Sequence, residues 1–409
     1  MKKILLGAMF LYILMAPFTY HPDTKLTLYY ASLNNGKVWN VYDYLEKNKL
    51  SVPEFHYPPL HFLLLKPQYL VAKVIGGEGF NKWLAIDSTS AVSNINIFKY
   101  NLASKLVLII LTVLTGLFIY KIVIKNNFSE SKAKLATKFW LFNPITIYSI
   151  ILMGQNDILA IFPFILGILF YFNLPIVAFL LFGVASSIKT FPLIWSIFLG
   201  LLYPTKNIFK KIFLALIPLI VYSLTLVPYI NSEYFRKSVI FSGLTERMFQ
   251  SYIDIGFMEK ILVIPMILVL LLTMVYGKKF ILKNISLVLM SVNLVILGFS
   301  HFHPQWMVWV IPFWAVYFSI SNNKERSIQL ILFLLLFLSL VVILLLFDDK
   351  FLSWGIFSPI NPYLLNLPTI REVLILKNID YGLLNNLAHS AIAGLSIWSV
   401  VKNLQLNKK

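Results

Sequence analysis

Long apolar runs, broken by short polar punctuation, dominate the chain. A bilayer core needs about 20 mostly apolar residues per helix. Twelve segments fit: 4–20, 98–120, 136–153, 157–173, 175–188, 190–204, 210–229, 260–276, 284–299, 304–320, 327–346 and 385–401. The pattern predicts an all-α polytopic membrane protein with about twelve transmembrane helices, in a range of 10–13, and residues 1–409 as a single integral-membrane domain. The first run has a basic start, Lys2-Lys3, but Ala16-Pro17-Phe18 is a poor cleavage site, so 4–20 reads as an uncleaved anchor.

A thirteenth apolar segment, 60–75, carries Lys66-Pro67-Gln68 in its middle. Charge decides how to read it. The 121–138 loop holds five lysines and one Glu, and the N-terminus begins Met1-Lys2-Lys3. Both should be cytoplasmic, so an even number of crossings separates them. Spans 4–20 and 98–120 supply two. Segment 60–75 therefore lies along the interface or dips in and returns.

Composition agrees with the pattern. Apolar residues make up 59% of the 409, and charged residues only 13%, against roughly a quarter in soluble proteins. Mean hydropathy is +0.79. Such a chain cannot cover itself with polar groups, which excludes a soluble fold and a disordered one. The absence of cysteine excludes a disulfide scaffold.

The net charge of +18 would suggest nucleic acid in a soluble protein. Here it sorts by side. The segments 1–3, 121–138, 205–211, 277–283, 321–326 and 402–409 hold 18 of the 35 Lys and Arg but 2 of the 17 Asp and Glu. The remainder is nearly balanced. The excess charge is thus an orientation signal, with both termini cytoplasmic and no nucleic-acid partner.

The opposite face collects the chemistry. It comprises a long first loop, 21–97, two further loops, 231–259 and 347–384, and short helix ends. Five of the six histidines fall there: His21, His56, His61, His301 and His303. Polar runs mark the helix ends: Gly154-Gln155-Asn156-Asp157, Ser186-Ser187-Ile188-Lys189 and His301-Phe302-His303-Pro304-Gln305. Asp157 is the carboxylate closest to a span. It either caps the helix that opens after Gly154 or touches a ligand. Asp23 follows the first span, as a solvated loop acid or as a base for a lipid head group. Lys189 either snorkels to the head groups or holds an anion. Tyr29, Tyr30, Trp39, Tyr42 and Tyr44 suit stacking on sugar rings, or equally the core of a small interfacial cap. His301 and His303 lack a third ligand at metal spacing, so no metal site is expected. No phosphate-binding glycine loop, HExxH or GxSxG motif occurs, and no internal duplication is evident.

In order along the chain stand Asp23, Tyr57-Pro58-Pro59-Leu60, Asn143-Pro144, Gly154-Gln155-Asn156-Asp157, Lys189-Thr190-Phe191-Pro192 and His303-Pro304-Gln305-Trp306. This ordered set resembles the polytopic GT-C glycosyltransferases. It is closest to the polyprenyl-phosphate-mannose-dependent mannosyltransferase branch (the DUF2029 or GT87 group), and more distantly resembles the GPI mannosyltransferase I catalytic subunit. The resemblance spans nearly the whole chain. It implies a long first outer loop bearing the catalytic acid, here Asp23, and a partly embedded groove for a lipid donor. One departure is that a second Asp near the end of the first span is missing, since Asp43 lies twenty residues on. A two-carboxylate metal site therefore lacks its second acid.

The resemblance implies a hexosyltransferase, with mannose as the sugar, acting at the outer face of the cell membrane. The donor is a polyprenyl-phosphate hexose, and the acceptor a glycan or glycolipid. No tightly bound cofactor is expected, and the resemblance leaves a divalent metal as an open alternative. The leaving phosphate is best met by a cation, with Lys189, Arg247 and Arg236 as candidates and His303 and Gln305 as phosphate or sugar ligands. Asp23 would take the acceptor proton. Gln155, Asp157, Tyr57 and Tyr30 would line or support the substrate site. The alternative class is a transporter or flippase, which would carry charge in the middle of several spans and broken helices in related halves. Span centres nearly free of charge favour the interfacial enzyme.

Overall fold

The structure, a computed structural model, describes residues 1–50, 55–242 and 247–406. Parts of the predicted loops (51–54 and 243–246) and of the basic tail (407–409) lie outside the described residues. The fold is almost wholly helical, as the apolar pattern predicts. Its principal helices are α1 (Lys2–Met15), α2 (Pro22–Ser32), α3 (Pro59–Gly76), α4 (Ile97–Lys125), α5 (Glu130–Leu141), α6 (Ile158–Phe170), α7 (Pro175–Ile188), α8 (Phe191–Leu201), α9 (Ile208–Leu226), α10 (Val263–Val275), α11 (Leu282–Gly298), α12 (Ile311–Ile320), α13 (Asn323–Leu346) and α14 (Tyr381–Leu404).

Among the described residues, three helices are long and apolar enough to cross a bilayer: α4, α9 with its 3-10 extension to Tyr229, and α13. Two bent pairs raise the number to five if each pair is one span. Five shorter apolar helices accompany them, including α6, α7 and α8. Exposed apolar side chains line the long helices: Phe209 and Leu224 on α9, Ile331 and Leu338 on α13. Such faces suit lipid and not water, so the chain is a membrane protein.

The bends have local causes. After α1, Pro17 and the extended Thr19 end the helix, and the chain turns by 88° into α2. His21 is the N-cap of α2, its Nδ1 accepting the Asp23 N–H at 3.2 Å, and Pro22 occupies the first turn. After α5, Asn143-Pro144 breaks the predicted span 136–153. The Asn143 side chain accepts the Ile145 N–H at 2.9 Å, and the chain continues as a π-helix, Ile147–Leu152, at 40°. The predicted span 304–320 also divides, into a 3-10 turn, Pro304–Trp309, and α12. Helix α3, the predicted interfacial segment 60–75, starts on Pro59 and stops at Gly77, whose φ is +81°. It is not one of the membrane-length apolar helices.

One predicted span is corrected at its start. Residues 260–262, placed in 260–276, belong instead to an antiparallel hairpin of β1 (Tyr252–Gly256) and β2 (Glu259–Leu262). Alternating apolar residues in 252–261 run straight into the apolar run of α10, which hides the strand period from a window long enough to find helices.

The first loop forms a small cap. Tyr30 and Tyr42 are buried in it, with Phe55 packed edge-on to Tyr30 at 5.1 Å and Phe235 packed edge-on to Tyr42 at 4.9 Å. These tyrosines are cap core, not free stacking platforms. Trp39 stays outside, 70% exposed, with Lys66 Nζ 3.8 Å from its ring centre.

Candidate functional site

A buried lysine holds the site's frame together. Lys105, on α4, donates to Thr19 O, Thr19 Oγ1 and Leu152 O, each at 2.7 Å, and to Ala16 O at 3.2 Å. One ammonium thus satisfies the carbonyls where α1 ends and where the π-helix ends. Lys105 is missing from the sequence candidates. Its partners are mostly backbone oxygens, which leave no residue-type signature.

The π-helix leads into Gly154, whose φ is +72°. A Cβ there would collide with Thr24 Oγ1, which itself donates to Met153 O at 2.7 Å and lies 3.0 Å from Gly154 O. Glycine therefore lets the polar run 154–157 lie directly on α2. Asn156 Nδ2 donates to Thr27 Oγ1 at 3.0 Å. Gln155 Nε2 donates to Asp23 Oδ2 at 2.9 Å.

Asp23 sits in the first turn of α2, where the helix dipole favours an anion. Its side chain is 46% exposed, open enough to meet a substrate. His21 beside it is buried. Its Nδ1 accepts the Asp23 backbone N–H, and its Nε2 lies 3.8 Å from Asp349 Oδ2. Asp349 opens the third loop, which packs over this corner: Tyr20 N–H donates to Ile356 O at 2.9 Å, and Tyr148 OH to Leu352 O at 2.6 Å.

His303 faces the same corner. Burial, then the charge of Arg247, push its pKa down to about 4, opposed by Asp23. The ring is neutral at pH 7 and packs on Trp306 and Phe347. Arg247 also acts on His301, though there burial is the larger cause of a lowered pKa. Among the described residues no acceptor reaches the buried Arg247 Nη1. Gln305, in the next turn from His303, is buried, and its Oε1 has no partner among the described residues. Arg236 stands apart: it donates to Ile230 O at 2.8 Å in an exposed setting.

A second, closed polar unit adjoins this open one. Asp157, 0% exposed, accepts from Lys189 Nζ at 2.9 Å and from Trp309 Nε1 at 2.6 Å on one oxygen. Its other oxygen has no partner among the described residues. Asp157 occupies the N-cap position of α6 but caps nothing with its side chain. Lys189 neither snorkels nor stands free for an anion; it neutralises Asp157. Tyr57 links the units. Lys189 Nζ lies 5.1 Å from its ring centre, and the ring stacks on His61 at 4.2 Å. Burial, then Asp23, then Asp157 raise the Tyr57 pKa, so both carboxylates bear on one phenol.

The structure thus joins Gln155 to Asp23 and sets His303 within electrostatic reach of both Asp23 and Arg247. Asp157, Lys189 and Tyr57 form the closed unit, and Tyr30 stays in the cap core. His21 was legible only as one of the outer-face histidines, and Asp349, whose carboxylate lies 3.8 Å from His21 Nε2, was not among the sequence candidates. Among the described residues no group of three or more His, Asp or Glu could hold a metal ion. No protein-family model matches the chain, and no curated protein matches it.

Proposed function

We propose that the protein is a membrane glycosyltransferase of GT-C type. It moves a hexose, mannose by the resemblance above, from a polyprenyl-phosphate donor to a glycan or glycolipid acceptor. The observation that carries the reading is the half-exposed Asp23 carboxylate, oriented by Gln155, together with Arg247, whose charge reaches the same His303 as Asp23 and whose buried Nη1 has no partner among the described residues. A carboxylate and a cation that both act on one histidine match the two charges that change in transfer from a phosphate.

In this reading Asp23 removes the proton of the acceptor hydroxyl. The hydroxyl oxygen attacks the anomeric carbon from the face opposite the phosphate. The C–O bond to phosphate breaks, and its electron pair leaves on the polyprenyl phosphate, which Arg247 neutralises. One displacement inverts the anomeric centre. Arg247 takes the role of phosphate cation ahead of Lys189, because Lys189 is committed to Asp157. Neutral His303 and Gln305 supply hydrogen bonds to sugar or phosphate oxygens without adding charge. The basic segments 1–3, 121–138 and 402–409 orient both termini to the cytoplasm and this corner to the outer face of the plasma membrane.

The test is transfer of label from a panel of polyprenyl-phosphate hexoses in membranes. Asp23→Asn should abolish transfer while insertion and expression persist. Near-normal transfer by that variant overturns the assignment.

A further inference from the structure

At the other end of the bundle lies a cavity of about 230 Å³ lined by Tyr317, Glu325, Ile328, Gln329, Trp398 and Lys402. That is far beyond the ~15 Å³ that admits one water. It is built where the ends of α12, α13 and α14 meet, with Lys283 of α11 beside them. Lys283 Nζ is 2.6 Å and Lys402 Nζ 3.5 Å from the Glu325 carboxylate, and Lys402 also donates to Gln405 Oε1, a further lining residue, at 2.7 Å, so two lysines share one acid and leave a surplus positive charge. Gln329 is 1% exposed; its amide N–H donates to Ser321 Oγ at 2.9 Å, and its Oε1 has no partner among the described residues. The cavity therefore offers a cation and a buried hydrogen-bond acceptor side by side.

We infer that this cavity binds the head group of an anionic phospholipid bearing free hydroxyls, phosphatidylglycerol being the simplest. The phosphodiester meets Lys283 and Lys402, and a head-group hydroxyl donates to Gln329 Oε1. A lipid fits better than a soluble phosphate because the walls continue into lipid-facing apolar surface. Ile328 and Ile331 on α13, and Ile397 and Val401 on α14, are all exposed beside it. Trp398 and Tyr317 line it as aromatic side chains do at an interface. Basic clefts between helix ends on the cytoplasmic side suit anionic head groups. The orientation rests on the topology proposed above; glycosyl transfer does not enter, and the two readings fail separately.

The experiment measures binding and thermal stabilisation of the full chain in detergent, titrated with phosphatidylglycerol, phosphatidic acid, phosphatidylcholine or soluble glycerol 3-phosphate. Phosphatidylglycerol should give the largest saturable rise in melting temperature. Lys283→Gln/Lys402→Gln should weaken its binding roughly thirtyfold, and Glu325→Gln should tighten it about fivefold, since that change removes the negative charge that competes for both lysines. A purely structural Glu325 would not give tighter binding on removal. Gln329→Met should erase the preference for phosphatidylglycerol over phosphatidic acid. Equal stabilisation by phosphatidylcholine, an equal response to glycerol 3-phosphate, or looser binding by Glu325→Gln would overturn the inference. Should the double lysine variant fail to fold, the Glu325 and Gln329 variants still decide it.

Discussion

Gln155 reaches across 132 positions of chain to donate to Asp23 Oδ2 at 2.9 Å. The bond selects one rotamer of a half-exposed carboxylate and leaves its other oxygen open. A hydrogen bond to a charged group is worth about 1.5–3 kcal/mol. In the proposed reaction Gln155→Leu should lower kcat between roughly tenfold and a hundredfold, with a smaller effect on KM for the donor. Steady-state transfer assays on purified enzyme check this; an unchanged kcat would remove Gln155 from the positioning of the base.

Asp157 and Lys189 form a buried ion pair, and breaking one leaves a charge without compensation. Each of Asp157→Asn and Lys189→Met should cost about 3–5 kcal/mol. The double variant should lose less than either single, because it removes both charges while the introduced amide keeps an acceptor oxygen for Trp309. Thermal unfolding of the four proteins gives the cycle. Additive losses would contradict the pairing.

Lys105 satisfies the carbonyls of Ala16, Thr19 and Leu152 at once. Lys105→Met orphans all three, at about 1–3 kcal/mol for each buried group. The expected result is loss of the α1–α2 joint, read as a lower melting temperature and new protease cleavage around residues 16–23. Full resistance at wild-type levels would show that another donor takes over.

His303 contributes a pH dependence of definite sign. Its folded pKa is lowered, to about 4, from an ordinary value near 6.5. Between these values the unfolded chain binds the proton and the folded one does not, so stability rises with pH. The contribution is complete above about pH 6.5 and is lost as pH falls towards about 4; it amounts to at most about 3 kcal/mol. His303→Gln should flatten that part of the melting-temperature profile. A slope unchanged by the substitution would assign it to other groups.

The helical class was legible because apolar residues so outnumber charged ones. The outer polar runs carried Gln155, Asp157, Lys189 and His303 openly. Their pairing was hidden. Lys189 looks the same in sequence whether it snorkels or neutralises Asp157, and only the approach of α6 to the joint between α7 and α8 decides. Lys105 was hidden more deeply, because its ligands are chiefly peptide carbonyls. The break at Asn143-Pro144 lies inside a run apolar enough to read as one span, although proline removes a helix donor there. The twelve predicted spans exceed the three to five that length and apolarity mark among the described residues, since several apolar helices here run 10–17 residues.

The right-angled turn between α1 and α2 has one more consequence. Only Thr19-Tyr20-His21 separate the 3-10 turn that ends α1 from α2, and Lys105 rivets that joint to the long helix α4. The position of Asp23 is therefore tied to α1 and α4 and does not move with the loop beyond α2. A lipid-borne substrate has its own depth, set by the leaflet it floats in. In the proposed reaction the bilayer becomes the ruler between them, and membrane thickness a determinant of how well carboxylate and sugar meet.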